Sequence, residues 1–341
     1  MKFKELKKVY IIAELSGNHN GSIENAIEAI RAAKRVGADA IKFQTYTADT
    51  MTLDCNNKDF LLSQGTIWDG QYLHDLYKKA FTPWEWHEEL FHTAKEEGID
   101  CFSTPFDSTA VDFLESLDNP IYKVASFEIT DIPLIEYIAS KGKPMIISTG
   151  IANFEDIELA LNTCKKMGNN EVALLKCTSS YPAPMEEANL CMIKDLSQRF
   201  GVTSGLSDHT LGITAPVIAV TQGAKIIEKH FILDHSIGGP DASFSLDENE
   251  FSNMVDAVRE AEVALGEVDY GLTKKQLQGR NFSRSLYVSK DVKKGDLLTS
   301  ENLRSVRPGF GMHPKHYSEI LGKKYNKDLT KGERINYNIL E

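Results

Sequence analysis

The 341-residue chain lacks any long hydrophobic run, and none of its apolar stretches reaches the roughly 18 residues that a bilayer-spanning helix needs. The N-terminal stretch MKFKELKKVYIIAELSG begins like a signal peptide, because a basic segment precedes an apolar one. The apolar part is too short, however, and Glu14 interrupts it. The pattern therefore predicts a first β-strand, and we expect a cytoplasmic protein.

Cysteine is scarce, and positive charge is outnumbered by negative charge. The five cysteines are irregularly spaced and include no CxxC pair, which indicates neither a disulfide framework nor a zinc cluster. We expect reduced thiols, most of them buried. The formal net charge of −11 argues against a nucleic-acid partner.

A glycine-rich phosphate loop is also missing, since GNHNG and not G-x-G-x-x-G follows the first apolar run. This absence disfavours a doubly wound sheet, the structural alternative. What recurs is a short β-rich run followed by a helical pattern. Eight such runs predict an α/β fold of the (β/α)8 TIM-barrel type. The runs are KVYIIAELS, AIKFQTY, DCFSTPF, IYKVASFE, PMIISTG, VALLKCTSS, VTSGLSDHT and AKIIEKHFILD.

Helix-boundary residues agree with this alternation. Ser22 is the expected N-cap of the first helix, because a serine oxygen can accept a hydrogen bond from the free backbone N–H groups. Thr82 is expected to cap a second helix, with Pro83 at its first position and Gly98 at its end.

The helical period disappears near residue 275, where short β-like pieces and the turn signals KKGD and PGFG follow. We expect a barrel domain over residues 1–275, a linker over 276–284 and a small β-rich domain over 285–341. A domain of so few residues forms only a marginal hydrophobic core. We therefore expect the tail domain to pack against a partner.

Polar side chains crowd the carboxyl ends of the predicted strands, where barrels build their active sites. In IIEKHFILD, for example, Glu228, Lys229 and His230 interrupt an apolar strand. Each such residue has an ordinary explanation, such as a lysine that reaches water or a serine that caps a helix. Their recurrence towards the same end of nearly every strand predicts a site. The others are Glu14, Lys42, Gln44, Thr104, Lys123, Ser126, Ser148, Lys176, Tyr181, Ser207 and His209.

The chemistry of this set is coherent. His209 and His230 end consecutive strands, which lie about 4.8 Å apart in a sheet. Two imidazoles completed by Glu14 or water suit a divalent ion such as Mn²⁺ and leave positions open for a substrate. Lysines together with hydroxyl side chains suit a small dianion that bears phosphate and carboxylate groups.

Ten ordered motifs resemble those of the sialic acid synthase family over essentially the full length. The tail resembles the antifreeze-like (SAF) β-clip domain of these enzymes. The resemblance implies a phosphoenolpyruvate-dependent transferase that joins phosphoenolpyruvate to an N-acetylated sugar aldehyde and releases phosphate by C–O cleavage. The motifs are IIAELSGNHNG, AIKFQT, FSTPFD, YKVASFE, ISTG, LLKCTSSYPAP, GLSDHT, IEKHF, GPDASFS and VRPGFG.

Within this family the chain most resembles the pseudaminic acid synthases, on the segments GTIWDGQYLHDLYKKAFTPWEWHEEL and LLKCTSSYPAP. Sialic and legionaminic acid synthases usually have histidine where Lys176 stands, and they lack Trp68 and the PWEW pattern. The implied acceptor is 2,4-diacetamido-2,4,6-trideoxy-L-altrose. The alternative is N-acetylneuraminate or legionaminic acid synthesis from N-acetylmannosamine or a diacetamido-mannose acceptor.

The resemblance also implies residue roles. His209 and His230 would bind the metal, which is expected to be Mn²⁺ with Mg²⁺ or Co²⁺ as alternatives, and Glu14 would act beside it. Phosphoenolpyruvate would be held by Lys42, Ser207, Lys123, Thr104, Ser126 and Ser148. The sugar would face Gln44, Tyr181, Asp241 and Arg307, the last supplied in trans within a domain-swapped homodimer.

Some residues stay open at this point. Ser179 stands where many relatives have asparagine, so a phosphate role there is uncertain. Trp68 could stack on the sugar, whereas Trp84 and Trp86 open a helix and are expected to be packing residues. Phe310 replaces a smaller polar residue and could contact the methyl group of a 6-deoxy sugar.

Two other classes of protein are weighed against this interpretation. A barrel aldolase or a synthase for sugar phosphates would need a second phosphate site, and the sequence shows no extra basic cluster. A non-catalytic sugar-binding or ice-binding protein would not need the paired histidines and the strand lysines.

Overall fold

The structure is a computed structural model that describes residues 1–63 and 65–341. The chain divides into two compact units, Met1–Gly266 and Glu267–Glu341, and each has a hydrophobic core of its own. The predicted domain limits, 1–275, 276–284 and 285–341, remain a proposal. A short helix, Lys274–Gly279, spans the proposed junction between barrel and linker.

The first unit is a closed barrel of eight parallel strands in sequence order, which confirms the predicted TIM barrel. The strand β1 pairs with both β2 and β8, so the sheet has no free edge. The strands are β1 (Tyr10–Glu14), β2 (Ala40–Thr45), β3 (Asp100–Pro105), β4 (Tyr122–Val124), β5 (Met145–Ser148), β6 (Val172–Cys177), β7 (Thr203–Asp208) and β8 (Ile226–His230).

Helices pack around this barrel. The largest core cluster joins strands β1 and β2 to helices α1, α4 and α10, and the longest helix, α10, follows the last strand. The helices of the unit are α1 (Ile23–Arg35), α2 (Ala48–Met51), α3 (Leu73–Ala80), α4 (His87–Glu97), α5 (Ser108–Ser116), α6 (Ile132–Ser140), α7 (Phe154–Lys166), α8 (Cys191–Phe200), α9 (Thr214–Thr221) and α10 (Glu248–Leu265).

Alternation along the strands decides which side chains face the barrel axis. In β1, Tyr10 and Ile12 belong to the cluster inside the barrel, whereas Ile11 and Ala13 pack against the helices. The next inward position is Glu14, at the carboxyl end of the strand. A row that is apolar in the barrel interior therefore ends in a polar group at one rim.

One predicted helix start is confirmed and one is wrong. The hydroxyl of Ser22 accepts a hydrogen bond from the backbone N–H of Asn25, as expected of an N-cap. Thr82 caps nothing, because its hydroxyl instead contacts the ring of His19 at 3.3 Å. A 3₁₀ turn, Trp84–Trp86, precedes α4 there, and α4 ends at Gly98 in the left-handed conformation that was expected.

The second unit is small and rich in turns. Strands β9 (Ser285–Val288) and β10 (Leu303–Val306) pair antiparallel, and two short helices, α11 (Lys274–Gly279) and α12 (Tyr317–Ile320), accompany them. Its core gathers mainly aliphatic residues around Tyr325. Among the residues that the structure describes, no helix has the length and apolarity to cross a membrane.

Candidate active site

A cavity of about 620 Å³ lies at the carboxyl ends of the barrel strands, a size that suits small-molecule substrates. Of the residues that were given a metal, catalytic or substrate role, all except Thr104 and Arg307 line it. These residues are Glu14, Lys42, Gln44, Lys123, Ser126, Ser148, Tyr181, Ser207, His209, His230 and Asp241.

The two exceptions differ in kind. Thr104 is buried on β3, and its hydroxyl accepts a hydrogen bond from the Lys42 ammonium at 3.1 Å. It therefore orients a cavity lysine and does not face the cavity. Arg307 follows β10 in the second unit, so its contact with a substrate stays a prediction.

The floor of the cavity carries four buried charged groups. The Lys42 ammonium lies 2.6 Å from Glu14 Oε2 and 3.6 Å from Glu228 Oε1. The Lys123 ammonium lies 3.9 Å from Glu228 and donates to the Ser148 hydroxyl at 2.7 Å. Such charges are tolerated away from water only when they compensate one another, as these do.

The two lysines differ in how well their charge is compensated. Burial lowers the pKa of Lys42, but the carboxylates of Glu14 and Glu228 more than offset this and raise it. Burial also lowers the pKa of Lys123, and there the neighbours do not restore it. A bound anion would supply the negative charge that the Lys123 ammonium lacks.

The two carboxyl groups also differ. Burial raises the pKa of Glu14, and the charge of Glu228 raises it further against the effect of Lys42. The pKa of Glu228 is lowered, because Lys123 and Lys42 together outweigh its burial. Glu14 is thus the carboxyl group that takes up a proton first, a division typical of acid–base sites.

Glu228 is a cavity residue to which the sequence analysis gave no metal, catalytic or substrate role. Its side chain accepts a hydrogen bond from the Ser207 hydroxyl at 3.3 Å and faces both floor lysines. The signal was present in the sequence, because Glu228 lies two residues before His230 and so shares its face of β8.

The two histidines have ring centroids 5.2 Å apart. The Nδ1 atom of His209 lies 3.0 Å from the carbonyl of Thr178, so it donates there and leaves Nε2 as an acceptor. The Nδ1 atom of His230 is buried without a hydrogen-bond partner, 4.0 Å from Asp241 Oδ2. Burial and nearby positive charge lower the pKa of His230 well below 6.5, so its ring is neutral.

Lys229 points to the opposite side of β8 from these groups. It is fully buried, and its ammonium contacts Asp208 Oδ2 at 2.6 Å and the carbonyl of Thr210. The other oxygen of Asp208 accepts from the Thr210 N–H. Lys229 therefore takes no part in the cavity, and its contacts with Asp208 and Thr210 fix the turn that carries His209.

A pair of serine hydroxyls forms one wall. Ser179 donates to Ser126 at 2.7 Å, and Ser126 accepts from the N–H of Ile151 at 3.1 Å. Gly150 lies directly against them, since a Cβ atom there would come within 2.2 Å of the Ser179 hydroxyl. Glycine is thus required for these hydroxyls to line the cavity.

An aromatic group covers the histidines. The Trp68 indole N–H donates to the carbonyl of Pro240 at 3.1 Å, and its ring lies 5.4 Å from that of Tyr181, which in turn lies 4.5 Å from His209. Trp84 stacks on Phe113 outside the cavity, and Trp86 packs edge-on against a core histidine. The last two are packing residues, as predicted.

Two further cavity residues carried no clear signal. Glu128 lies in the 3₁₀ turn after β4, its Oε2 has no hydrogen-bond partner, and burial raises its pKa to about 7. Cys177 faces the cavity, with Sγ 3.8 Å from His209 Nδ1. Burial of the thiol was expected from the sequence, but its position beside a histidine was not.

Lys176 and Phe310, which served to distinguish subfamilies in the sequence analysis, do not line the cavity. The Lys176 ammonium donates to the carbonyl of Cys177 and to the Thr178 hydroxyl, and it is absent from the cavity lining. Phe310, in the second unit, lies under the guanidinium of Arg334 at 4.9 Å.

A separate cluster of ligand-type side chains consists of His235, Asp247 and Glu250. It is the one such group of three, within residues 1–63 and 65–341, whose ligand atoms all lie within 4.8 Å of one another. Asp247 and Glu250 form the capping box of α10, and Glu250 accepts from His235 at 3.1 Å. These contacts give the cluster a structural role in holding the start of the helix.

Comparison with known proteins agrees with this geometry. The pattern of the NeuB family matches residues 29–270, and that of the SAF domain matches residues 283–340. The chain is 51% identical to the pseudaminic acid synthase of Campylobacter jejuni, over 98% of this chain and 97% of that protein. It is 38% identical to the N,N'-diacetyllegionaminic acid synthase of Legionella pneumophila, over 97% of this chain and 94% of that protein.

A solved structure of similar fold is that of the N-acetylneuraminic acid synthetase from Leptospira borgpetersenii in complex with citrate. It is 32% identical to this chain, with a TM-score of 0.72 over 80% of this chain and 90% of that one. The family match spans well over half of the chain, and the predicted resemblance is confirmed. The chain belongs to the NeuB family and ends in a SAF domain.

Proposed function

We propose that this protein condenses phosphoenolpyruvate with 2,4-diacetamido-2,4,6-trideoxy-L-altrose and water, which yields pseudaminic acid and phosphate. The observation that carries the proposal is the dilysine floor beside two buried histidines in one cavity. The 51% identity to a pseudaminic acid synthase supports this choice of acceptor over that of the legionaminic acid relative.

Phosphoenolpyruvate would occupy the floor. Its carboxylate would meet Lys42 and Ser207, and its phosphate would meet Lys123 with the Ser148 and Ser126 hydroxyls. The under-compensated charge of Lys123 supports this placement. Thr104 would contribute indirectly, because its hydroxyl accepts a hydrogen bond from the Lys42 ammonium and so holds that lysine in place.

The chemistry of the two histidines fits a divalent cation. The unpartnered Nδ1 of neutral His230 and the Nε2 of His209 are free to act as ligands, and Asp241 lies close by. A bound Mn²⁺, Mg²⁺ or Co²⁺ would polarise the aldehyde oxygen as a Lewis acid.

The reaction forms one C–C bond and one C–O bond and breaks another C–O bond. The enol carbon of phosphoenolpyruvate attacks the aldehyde carbon, and water adds to the resulting cationic C2. The bond between C2 and the phosphate oxygen then breaks, the C2 hydroxyl becomes the keto group, and its proton leaves with the phosphate. Glu14 would give a proton to the aldehyde oxygen and recover one from the water. Its raised pKa supports this role, and a hydrogen bond from Gln44 at 3.0 Å holds the carboxyl group in place.

The sugar would lie above the floor, facing Gln44, Tyr181 and Asp241. Glu128 adds an unpartnered carboxyl oxygen that can accept a hydrogen bond from a sugar hydroxyl or amide. Arg307 would come from a second subunit, so the working form would be a homodimer. The exposed apolar side chains of Val263, Val268, Tyr270 and Phe282 support such an assembly.

The test is phosphate release from phosphoenolpyruvate by the Mn²⁺-loaded protein, with the altrose derivative, the corresponding diacetamido-mannose and N-acetylmannosamine offered separately. We expect turnover with the altrose derivative and its loss after EDTA treatment. Preferential turnover of either mannose-type acceptor would instead assign the legionaminic or neuraminate reaction, and turnover of a sugar phosphate would assign the aldolase-like class.

A further inference from the structure

Helix α3, Leu73–Ala80, has an apolar face that the protein core does not cover. Its apolar residues recur at helical spacing, at Leu73, Leu76, Tyr77 and Ala80, and such a stripe normally packs into a core. None of the residues of α3 is fully buried, however. The opposite face carries Asp75, Lys78 and Lys79, all exposed.

The apolar face of α3 lines the cavity. Leu73, Leu76, Tyr77 and Ala80 are cavity residues. Tyr77 carries a hydroxyl group and is therefore not counted in the wall, which similar apolar side chains from neighbouring segments extend. We define the apolar wall as the six hydrocarbon or thioether side chains of Met51, Leu62, Leu73, Leu76, Ala80 and Phe106. Each is half-buried in the absence of a substrate.

The wall differs from the remainder of the cavity in polarity. The floor offers ammonium, carboxyl and hydroxyl groups, and the histidine side offers ring nitrogens. The wall side chains include no strong hydrogen-bond donor or acceptor. A ligand that fills the cavity therefore meets polar partners at the floor and a wall that is hydrocarbon apart from the adjoining hydroxyl of Tyr77.

We infer that the apolar wall binds the methyl end of a 6-deoxy sugar acceptor and thereby selects against sugars that carry a 6-hydroxyl group. This inference rests on the proposed function, which supplies an aldehyde sugar. A methyl group would cover apolar surface that the helix leaves unpaired. A hydroxyl group in the same place would lose its water without gaining a partner.

The expected preference for the 6-deoxy sugar can be estimated from how apolar pockets treat an added hydroxyl group. A hydrophobic pocket discriminates against one added hydroxyl group only moderately, by about 10- to 100-fold in kcat/KM. Binding of the acceptor should also stabilise α3, because the sugar would cover the apolar face of the helix. Local unfolding of α3 should then become less frequent.

The experiment compares 2,4-diacetamido-2,4,6-trideoxy-L-altrose with its 6-hydroxy counterpart by phosphate release from the metal-loaded protein. The wild type is measured beside Leu76→Asn and Leu73→Asn, which place an amide on the wall. Leu53→Asn is the matched control, since Leu53 lies in the same segment but is 67% exposed. Hydrogen exchange of α3 is followed with each sugar and phosphoenolpyruvate bound.

We expect the wild type and Leu53→Asn to prefer the 6-deoxy sugar by about 10- to 100-fold, and Leu76→Asn or Leu73→Asn to reduce this ratio at least threefold. Slower exchange of α3 should appear with the 6-deoxy sugar above all, which tests the wild type even where a variant fails to fold. Equal turnover of both sugars, or an unchanged ratio in both wall variants, overturns the inference and leaves the proposed function standing. No release with either sugar overturns the proposed function as well.

Discussion

Lys123 carries a buried ammonium group whose charge the neighbouring protein groups compensate only in part. It is only 2% exposed, and its ammonium donates to the Ser148 hydroxyl at 2.7 Å and to the Val124 carbonyl at 3.0 Å, with the shared carboxylate of Glu228 at 3.9 Å. Burial lowers the pKa of Lys123, so the charged form of this side chain is disfavoured while the site is empty of ligand. Binding of a phosphate group removes part of that cost.

Replacing Lys123 by methionine should therefore weaken phosphoenolpyruvate binding specifically. We expect the KM for phosphoenolpyruvate to rise about 10- to 100-fold, the range of one charge-assisted hydrogen bond. Steady-state kinetics at saturating acceptor measure this. Lys143→Met removes a lysine that pairs with Glu115 at 2.7 Å on the outer surface and serves as the control. A KM within twofold of the wild type would contradict the placement of the phosphate.

Glu128 is the residue whose titration should be visible in stability. Burial raises its pKa from 4.5 to about 7, with Lys123 opposing and Asp131 adding to the shift. The side chains of Tyr77 and Tyr181 are close enough for their own pKa values to be raised in part by its charge. The folded protein thus holds the Glu128 proton more tightly than the unfolded chain does.

The sign of the pH dependence follows. The contribution of Glu128 to folding is fully present below pH 4.5 and is lost as the pH rises to about 7. We expect Glu128→Gln, measured by urea unfolding without substrates, to gain on the order of 2 kcal/mol relative to the wild type between pH 5 and pH 8. Glu158→Gln, on the exposed face of α7, is the reference variant. A gain no larger than that of the reference would show that the carboxyl group is better solvated than the structure indicates.

At the scale of elements, the segment between β2 and α4 reaches across the cavity. Trp68 in this segment donates to the carbonyl of Pro240, one residue before Asp241 in the loop after β8. Its ring also approaches Tyr181 in the loop after β6. One side chain thus ties three loops together on the sugar side of the site.

Replacing Trp68 by phenylalanine keeps an aromatic ring but removes the indole N–H. We expect the KM for the acceptor sugar to rise about 3- to 10-fold while the KM for phosphoenolpyruvate stays constant, because one neutral hydrogen bond is lost on the sugar side only. Trp84→Phe also removes an indole donor, to the carbonyl of Tyr46, and is the matched control because Trp84 itself does not line the cavity. Equal rises in the KM for the acceptor and the KM for phosphoenolpyruvate would argue against a role of Trp68 confined to the sugar side of the site.

At the scale of the whole molecule, apolar side chains are exposed along residues 263–282, the stretch of chain in which the first unit ends and the second begins. Val268 is 91% exposed, and Tyr270 is 97% exposed. Val263 and Phe282 are also largely uncovered. Exposed apolar side chains that recur in one stretch of chain are typical of segments that bind other chains, which agrees with the proposed homodimer.

A mixing experiment tests whether Arg307 acts in trans. Arg307→Ala and His209→Ala should each lose most activity as pure proteins, since each damages every site. Random exchange of subunits makes half of the dimers mixed, and each mixed dimer has one intact site if Arg307 crosses over, so we expect about a quarter of the wild-type activity to return. Phosphate release after co-refolding measures this. No recovery, with light scattering showing dimers, would place Arg307 in its own subunit's site.

The sequence by itself determined the barrel and the position of the polar groups at one rim. Strand alternation has a period of two, so Tyr10, Ile12 and Glu14, or Glu228 and His230, must share a face. Parallel strands also carry their carboxyl ends to the same side. These are local rules, and for that reason the lysines, hydroxyl groups and histidines could be assigned to one cavity without coordinates.

The tertiary structure alone decided what each face meets. The period of α3 is plain in the sequence, yet only the fold shows that its apolar face borders the cavity. In the same way, the fold places Thr104 behind Lys42, puts Glu228 between two lysines and buries Glu128. Burial and charge compensation depend on groups that are far apart in the chain, and local periodicity carries no information about those neighbours.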